Sequence, residues 1–462
     1  MKKIVKYKMF LMVLVMVFTL AGCGGGGAKE SASKNGTGED IWDKYPAFDM
    51  EQRVIKIASH YDLGYNTPVA EFSPEDKQKE AYRMQYYENL KRVAEKYNVQ
   101  LKVVVVPWDR MIPTLTASVL SGEPFVDIVH LGADNYYSIA AGGYLQPVSE
   151  YTNDKSDVNT NQQALFKLPP VKGSESCAVA RNVSTAYTSF LGFNTKIFNS
   201  LGVETPLSLY KKDEWTWDNF LKLAKLTTKD TNGDGKNDYW GYSGYNIANI
   251  LMPTNDASIV DTANKKELFT SKNTIETIDF SKKFYQEKCV YMLGNDPFNF
   301  QNTDLFREGT TAMFSLSGWF ICNSEKTVEF DFQTVPFPKG PSNTSGNVMM
   351  AAPEAFAIPN GVKDADKVYQ IFEELHLWFN NDHGIVEQDT LNYLETGLQT
   401  QENIDLVLDI APKWFVDYSF SVPEIDGIWY KICKDAIEGK SVSTLVESNK
   451  NVAQDLINQF FG

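Results

Sequence analysis

Past the first fifty or so residues, apolar positions along the chain switch between two periods. Arg53–Ser59 (RVIKIAS) and residues 99–107 (VQLKVVVVP) are short apolar runs rich in β-branched residues, and Pro107 stops the second. Residues 125–133 (FVDIVHLGA) form a third such run. Between them, Tyr86, Leu90, Val93 and Tyr97 fall on one helical stripe. Met111, Leu115 and Val119 fall on another, which ends at Gly122. Strand, helix, strand, helix, strand predicts parallel βαβ units in an α/β fold. Such sheets bind ligands beyond the carboxyl ends of their strands. Those ends carry His60, Tyr61 and Asp62 after the first run, Trp108 and Asp109 after the second, and Asp134 and Asn135 after the third.

The pattern continues past Pro169-Pro170 as a second block. Residues 187–198 read as a strand running into a turn, and Thr216 is placed to cap the helix WDNFLKLAKLT. Residues 310–320 (TTAMFSLSGWF) are strand-like and lead to Trp319. APEAFAIP is a further short strand carrying Glu354, and the helix after it shows Val368, Ile371, Phe372, Leu375 and Trp378 on one face. At the end of the chain Leu445, Val452, Leu456 and Phe460 share a helical stripe. No repeat of 20–50 residues appears, so a solenoid is excluded.

The start of the chain has a different logic. Lys2, Lys3, Lys6 and Lys8 precede an apolar run of 12 residues, Met9–Leu20. The run is too short for the roughly 20 residues that span a bilayer, so it reads as the core of a secretory signal over residues 1–22. It ends in Leu20-Ala21-Gly22-Cys23, which looks like a bacterial lipobox and predicts lipidation of Cys23. Residues 23–52 follow as an expected flexible tether, opening with four glycines.

Composition narrows the partners. The formal net charge is −15, and about −19 without the four leader lysines. That balance argues against nucleic acid and anionic lipid surfaces as ligands. Cys177, Cys289, Cys322 and Cys433 are widely spaced and form neither a zinc set nor a redox pair. The four histidines show no ligand spacing, and no nucleophile elbow, zincin helix or P-loop is present. A surface-tethered glycoside hydrolase stays open as a rival, because its two carboxylates meet only in space.

Four segments in order carry a resemblance: VDIVHLGADNYYSIAAGGYLQPVSEY; LGFNTKIFNSLGVETP with EWTWDNFLKLAKLTTKDTNGDGKNDYWGY; FREGTTAMFSLSGWF; and VPFPKGP with AFAIPNGVKDADKVYQIFEELHLWF. Together, over roughly residues 54 to 380, they resemble the extracellular solute-binding proteins (family 1, maltose-binding-protein-like) of ABC sugar importers. The resemblance implies an α/β, two-lobed, periplasmic-binding-protein-like clamp with hinge crossings. Lobe 1 is expected over 53–165 and 348–380, and lobe 2 over 166–347 and 381–462. It implies an oligosaccharide ligand or, in the same clamp, a peptide or other polar solute. It also implies delivery to a permease, a monomer, no chemistry of its own, and a sugar-stacking role for Trp319.

The residues support a sugar site independently. A pyranose stacks its CH face on aromatic rings and offers hydroxyls to carboxylates. Trp319, Trp108, Tyr61 and Tyr242 are the candidate platforms, and Asp62, Asp109, Asp134 and Glu354 the candidate acceptors. One loop adds a metal question. Asp230, Asn232, Asp234, Lys236 and Asp238 occupy positions 1, 3, 5, 7 and 9 of an EF-hand spacing, but position 12 is Gly241 instead of glutamate. It is read as a structural calcium staple, with an empty Asx/Gly turn as the alternative.

Overall fold

Two sheets organise the chain. The computed structural model describes residues 44–61, 63, 81–160, 165–170, 175–181, 189–317, 328–350, 354–376, 379, 383–410, 414–415 and 422–461. The signal segment, the lipobox with Cys23, Asp62, Trp319, Cys322 and Trp378 lie outside these. Residues Asp40–Gly462 make one compact unit.

The first strands in chain order are β1 (Arg53–Ser59), β2 (Val99–Val105), β3 (Ile128–Gly132), β4 (Leu165–Lys167) and β5 (Val179–Arg181). Next come β6 (Ser189–Asn194), β7 (Trp240–Ser243), β8 (Val260–Asp261), β9 (Lys266–Glu267), β10 (Val290–Tyr291), β11 (Thr311–Ser317) and β12 (Phe332–Val335). The last are β13 (Met349–Met350), β14 (Glu354–Ala357) and β15 (Trp414–Phe415). One sheet has the order β2-β1-β3-β14-β5-β4 and the other β10-β7-β11-β6-β12. Each sheet is the centre of a lobe.

In the first lobe β1 runs parallel to β2, from the Arg53–Val99 pair to the Ser59–Val105 pair, and parallel to β3. The three predicted strands therefore exist and end side by side. Strand β14 joins antiparallel, so Glu354, its first residue, pairs with Gly132, the last of β3. A late return of the chain thus reaches the same edge as the first three strands. One face of this sheet is covered by the helices Ala81–Tyr97 and Ala365–His376, where Val93, Tyr97, Val368, Ile371 and Leu375 are buried against Ile55 and Ile57. Burying such side chains supplies about 1.5–3 kcal/mol each, which is why the predicted stripes hold.

The second sheet is mixed. Strand β7 is parallel to β10 and β11, whereas β6 is antiparallel to β11 and β12. The helix Trp217–Thr227 packs Trp217, Phe220 and Ala224 onto it, and Thr216 caps the helix by accepting from the Asn219 amide at 3.5 Å.

Three expectations are corrected. Strands β4 and β5 pair with each other and β5 with β14, so the first lobe extends past residue 165 to at least Arg181. The expected tether 23–52 is also too long at its far end. Tyr45 and Met50 are buried, the Tyr45 hydroxyl donates to Glu373 at 3.0 Å, and Lys44 pairs with both Asp157 and Glu373. One ammonium between two carboxylates holds that segment on the first lobe. In the terminal helix Val442–Phe460, Val452 faces solvent, and Ala453 and Ile457 take the buried face. Phe461, directly after that helix, has its ring 4.9 Å from that of Tyr137 in the first lobe, so one apolar layer joins both lobes.

Candidate functional site

The parallel register places the first-lobe candidates on one edge. Ser59 ends β1 with His60 and Tyr61 just beyond it, Trp108 opens the helix after β2, His130 lies near the end of β3, and Glu354 begins β14. Tyr61 and Trp108 are about half exposed, at 44% and 51%, whereas Ser59, His130 and Glu354 are buried. Trp108 packs its ring against His60, with centroids 4.1 Å apart and planes tilted by 45°, and is still half exposed. Burial pushes the His60 pKa down, against the hydrogen bond to the Val106 carbonyl and together with the nearby His130, so His60 is held neutral.

Around Glu354 the contacts interlock. The Tyr61 hydroxyl donates to Glu354 Oε1. His130 Nε2 lies 3.4 Å from the same oxygen. The other ring nitrogen, His130 Nδ1, is 3.0 Å from Ser59 Oγ. The His130 ring stacks on Phe356 at 4.6 Å and receives Tyr61 edge-on at 5.6 Å. Of the predicted residues, the structure therefore brings together Tyr61, Trp108 and Glu354. Asp109 sits beside Trp108 on open surface, 4.0 Å from Arg110, and not in this cluster. Asp134 lies in the first turn of the helix Ala133–Ala141, directly after β3. The strand-end rule reaches His60 but not His130, which lies inside its apolar run and 70 residues from His60, a spacing that carries no pattern.

The second sheet has its own strand-end cluster, and sequence reasoning missed it. After β7 comes Tyr245, and after β10 come Phe298 and Phe300. Tyr245 meets Phe300 at 5.8 Å, and Phe298 meets Tyr430 of the helix Pro423–Ile437 at 4.3 Å. Phe300 is 64% and Tyr430 36% exposed. Asp426, one helical turn before Tyr430, has its carboxyl pKa raised by burial. Burial also raises the Tyr245 hydroxyl, helped by the Asp426 charge. Asn246 holds φ 26°, ψ 79°, a conformation unusual for a residue with a side chain, and its buried Oδ1 has no hydrogen-bond partner.

Tyr242 corrects the aromatic prediction for this lobe. It lies inside β7 and not beyond it, is fully buried between Phe220 and Phe284, and its hydroxyl is bonded to Ser315 at 2.5 Å. It is core. The strand-end rule applied to β7 points three residues on, to Tyr245.

The 230–238 loop closes on its own amides. The Asp230 carboxylate accepts the amides of Gly233 at 2.6 Å and Gly235 at 2.8 Å. Asp238 accepts the Thr231 amide and hydroxyl, both at 2.6 Å, and Asn232 donates to its other oxygen at 2.9 Å. Asp234 accepts the Lys236 amide at 2.8 Å. These bonds hold the Asp230 and Asp238 carboxyls below the usual carboxylate range. Among the described residues no three acidic, histidine or cysteine side chains converge as metal ligands. The donor set fits a self-closed Asx turn better than a filled calcium site.

A depression of about 640 Å³ is lined by Arg53, Lys56, Asp127 and Lys363. It sits at the opposite ends of β1 and β3 and includes none of the predicted residues.

Residues 80–375 match the family described as bacterial extracellular solute-binding protein. No curated protein matches in sequence. The chain is similar to a solved cyclic α-maltosyl-1,6-maltose binding protein from Arthrobacter globiformis, at 13% identity and TM-score 0.62, covering 88% of this chain and 99% of that one. It is also similar to an ABC substrate-binding protein from Listeria monocytogenes in complex with cycloalternan, at 14% identity and TM-score 0.58, with coverages of 88% and 99%. A third is the maltose/maltodextrin-binding domain from Bdellovibrio bacteriovorus bound to maltotriose, at 16% identity and TM-score 0.56, with coverages of 88% and 100%. At these identities the likeness is one of fold.

Proposed function

The chain belongs to the bacterial extracellular solute-binding protein family, and we propose that it is the receptor of an ABC importer and captures an oligosaccharide between its lobes. One observation carries the reading. The strand ends of one sheet offer a buried carboxylate beside Tyr61 and Trp108, and those of the other offer Phe300, Tyr245 and Tyr430. An oligosaccharide needs both, acceptors for its hydroxyls and flat apolar surface for its CH faces. The sugars named with the similar structures, cycloalternan and maltotriose, support that ligand class. Trp319, two residues past β11, belongs to the proposal as a stacking residue.

Closure of two lobes on the ligand would signal occupancy to the permease. The role assigned is binding and delivery, with no chemical step, and turnover of a chromogenic glycoside would contradict it. Lipidation at Cys23 would hold the receptor, as a monomer, at the outer face of the cell membrane. Among the described residues no helix is long and apolar enough to cross a membrane. Substituting Cys23→Ala is expected to release the protein from the membrane fraction.

The deciding experiment is thermal unfolding with tryptophan fluorescence of the soluble chain, screened against mono- and oligosaccharides. A raised midpoint with one glycan class is expected, because a ligand bound only to the folded state stabilises it by mass action. A response to peptides and to no glycan would move the ligand class while keeping the clamp.

A further inference from the structure

The second-lobe rings sit on three separate pieces of chain, and one buried residue links all three. Tyr245 follows β7, Phe298 and Phe300 follow β10, and Tyr430 lies on the helix Pro423–Ile437. Asn246, next to Tyr245 and 3% exposed, donates its backbone amide to the Pro297 carbonyl at 3.1 Å. The segment it grips there is closed on itself. Asn302 Nδ2 donates to the Asp296 carbonyl at 2.8 Å, and Asp296 Oδ1 accepts the Phe298 amide at 3.0 Å. The side chain of Asn246 reaches toward the third piece. Its Nδ2 donates to Asn249 Oδ1 at 2.7 Å, and the same oxygen accepts from Trp429 Nε1, one residue before Tyr430, at 2.6 Å. Within this frame Tyr245 backs Phe300, and Phe298 backs Tyr430.

The indole fixes the orientation of both side-chain amides. A tryptophan N–H only donates, so Asn249 turns its oxygen to Trp429, and Asn246 must turn its nitrogen to that oxygen. Asn246 Oδ1 is thereby left buried without a hydrogen-bond partner. The backbone is strained as well. At φ 26°, ψ 79° it lies outside the extended, right-handed and left-handed helical regions. Such strain persists only where the surroundings over-determine it, and it gathers at ligand clamps. Here the Asn246 carbonyl accepts from the Asn249 amide at 3.1 Å, and the next amide, that of Ile247, donates to the Tyr285 hydroxyl at 3.3 Å.

Resting on the oligosaccharide reading above, we infer that Asn246 is the positioning residue of the second-lobe platform: its amide and its side chain hold Tyr245, the 298–300 segment and the Tyr430 helix at one spacing. It thereby sets how well the exposed faces of Phe300 and Tyr430 fit the apolar faces of a sugar. Asn246 itself does not touch the ligand. Its effect on affinity passes through the rings.

Two measurements test this. Hydrogen exchange of the unliganded protein, followed by NMR, compares wild type with Asn246→Gly and Asn246→Asp. Glycine tolerates the backbone conformation and aspartate keeps the side-chain shape, but neither can donate to Asn249. The Trp429 indole N–H and the Phe298 amide should exchange about threefold faster or more in both variants, measured relative to the amides of β11. Unchanged relative rates at both positions overturn the inference whatever the protein binds. Titration calorimetry with maltotriose and mannotriose then places Asn246→Gly in wild type and in a Phe300→Ala, Tyr430→Ala background. In wild type it should weaken binding about three- to tenfold, and with both rings gone by less than about twofold. No loss in wild type, or the same loss in both backgrounds, refutes the positioning role. Should Asn246→Gly fail to fold, Asn246→Asp carries the same cycle. Failure of both sugars to bind wild type would count against the oligosaccharide reading, while the exchange rates still decide this one.

Discussion

The two strand-end clusters occupy the same position in their sheets and are built from opposite chemistry. The first-lobe cluster gathers polar groups around one buried carboxylate: the Tyr61 hydroxyl donates to Glu354, and His130 Nε2 lies 3.4 Å from it. In the second lobe, ring contacts do the joining, Tyr245 to Phe300 and Phe298 to Tyr430, with Phe300 mostly in solvent. The first is directional and fails if a single donor is misplaced. The second is tolerant, since a flat apolar ring accepts many sugar faces. A binding protein that uses both gains orientation from one lobe and breadth from the other.

The sharpest break of this comparison is Glu354→Gln. Replacing the charged acceptor is expected to cost about 1.5–3 kcal/mol of oligosaccharide affinity, roughly 10- to 100-fold, read by calorimetry with a sugar that binds wild type. Affinity equal to wild type would mean that the first-lobe cluster is not the directional half. Next in size are Phe300→Ala and Tyr430→Ala. Each should lose about 0.5–1.5 kcal/mol of affinity, less than Glu354→Gln. A loss from either as large as that of Glu354→Gln would erase the difference between the clusters.

Tyr242→Phe draws the line between cluster and core. It leaves the buried Ser315 hydroxyl without its partner, so the thermal or denaturant midpoint should fall by the equivalent of about 1 kcal/mol while affinity holds. A drop in affinity alone would return Tyr242 to the site. The smallest effect is expected from chelation. EDTA should leave the unfolding midpoint unchanged, because the carboxylates of Asp230 and Asp238 already take backbone amides. A fall that calcium restores would reinstate the staple.

Which residues were visible beforehand follows from range. Trp108 and Tyr61 follow apolar runs directly, so a period-two reading with the strand-end rule reaches them. Glu354 was reachable too, but its meeting with Tyr61 was not, since 293 residues separate them and nothing local records the antiparallel register of β14. Tyr242 was misplaced by a few residues, enough to put a side chain inside a strand in place of past its end. Phe298, Phe300 and Tyr430 lie in a proline-flanked loop and on a late helix, where no periodicity points at a ligand.

The sequence by itself determined the α/β class, the first three strands and their helices, the cap at Thr216 and the order of motifs that resembles the solute-binding family. These depend on apolar periodicity and turn chemistry, which act over a few residues. Only the tertiary structure decided that β4 and β5 belong to the first lobe, that Lys44 docks the chain between two carboxylates, and that Ser59, His130, Glu354 and Tyr61 meet at one strand edge. Those are pairings between distant segments. Their geometry is set by sheet register and burial, and both exist only once the chain has folded.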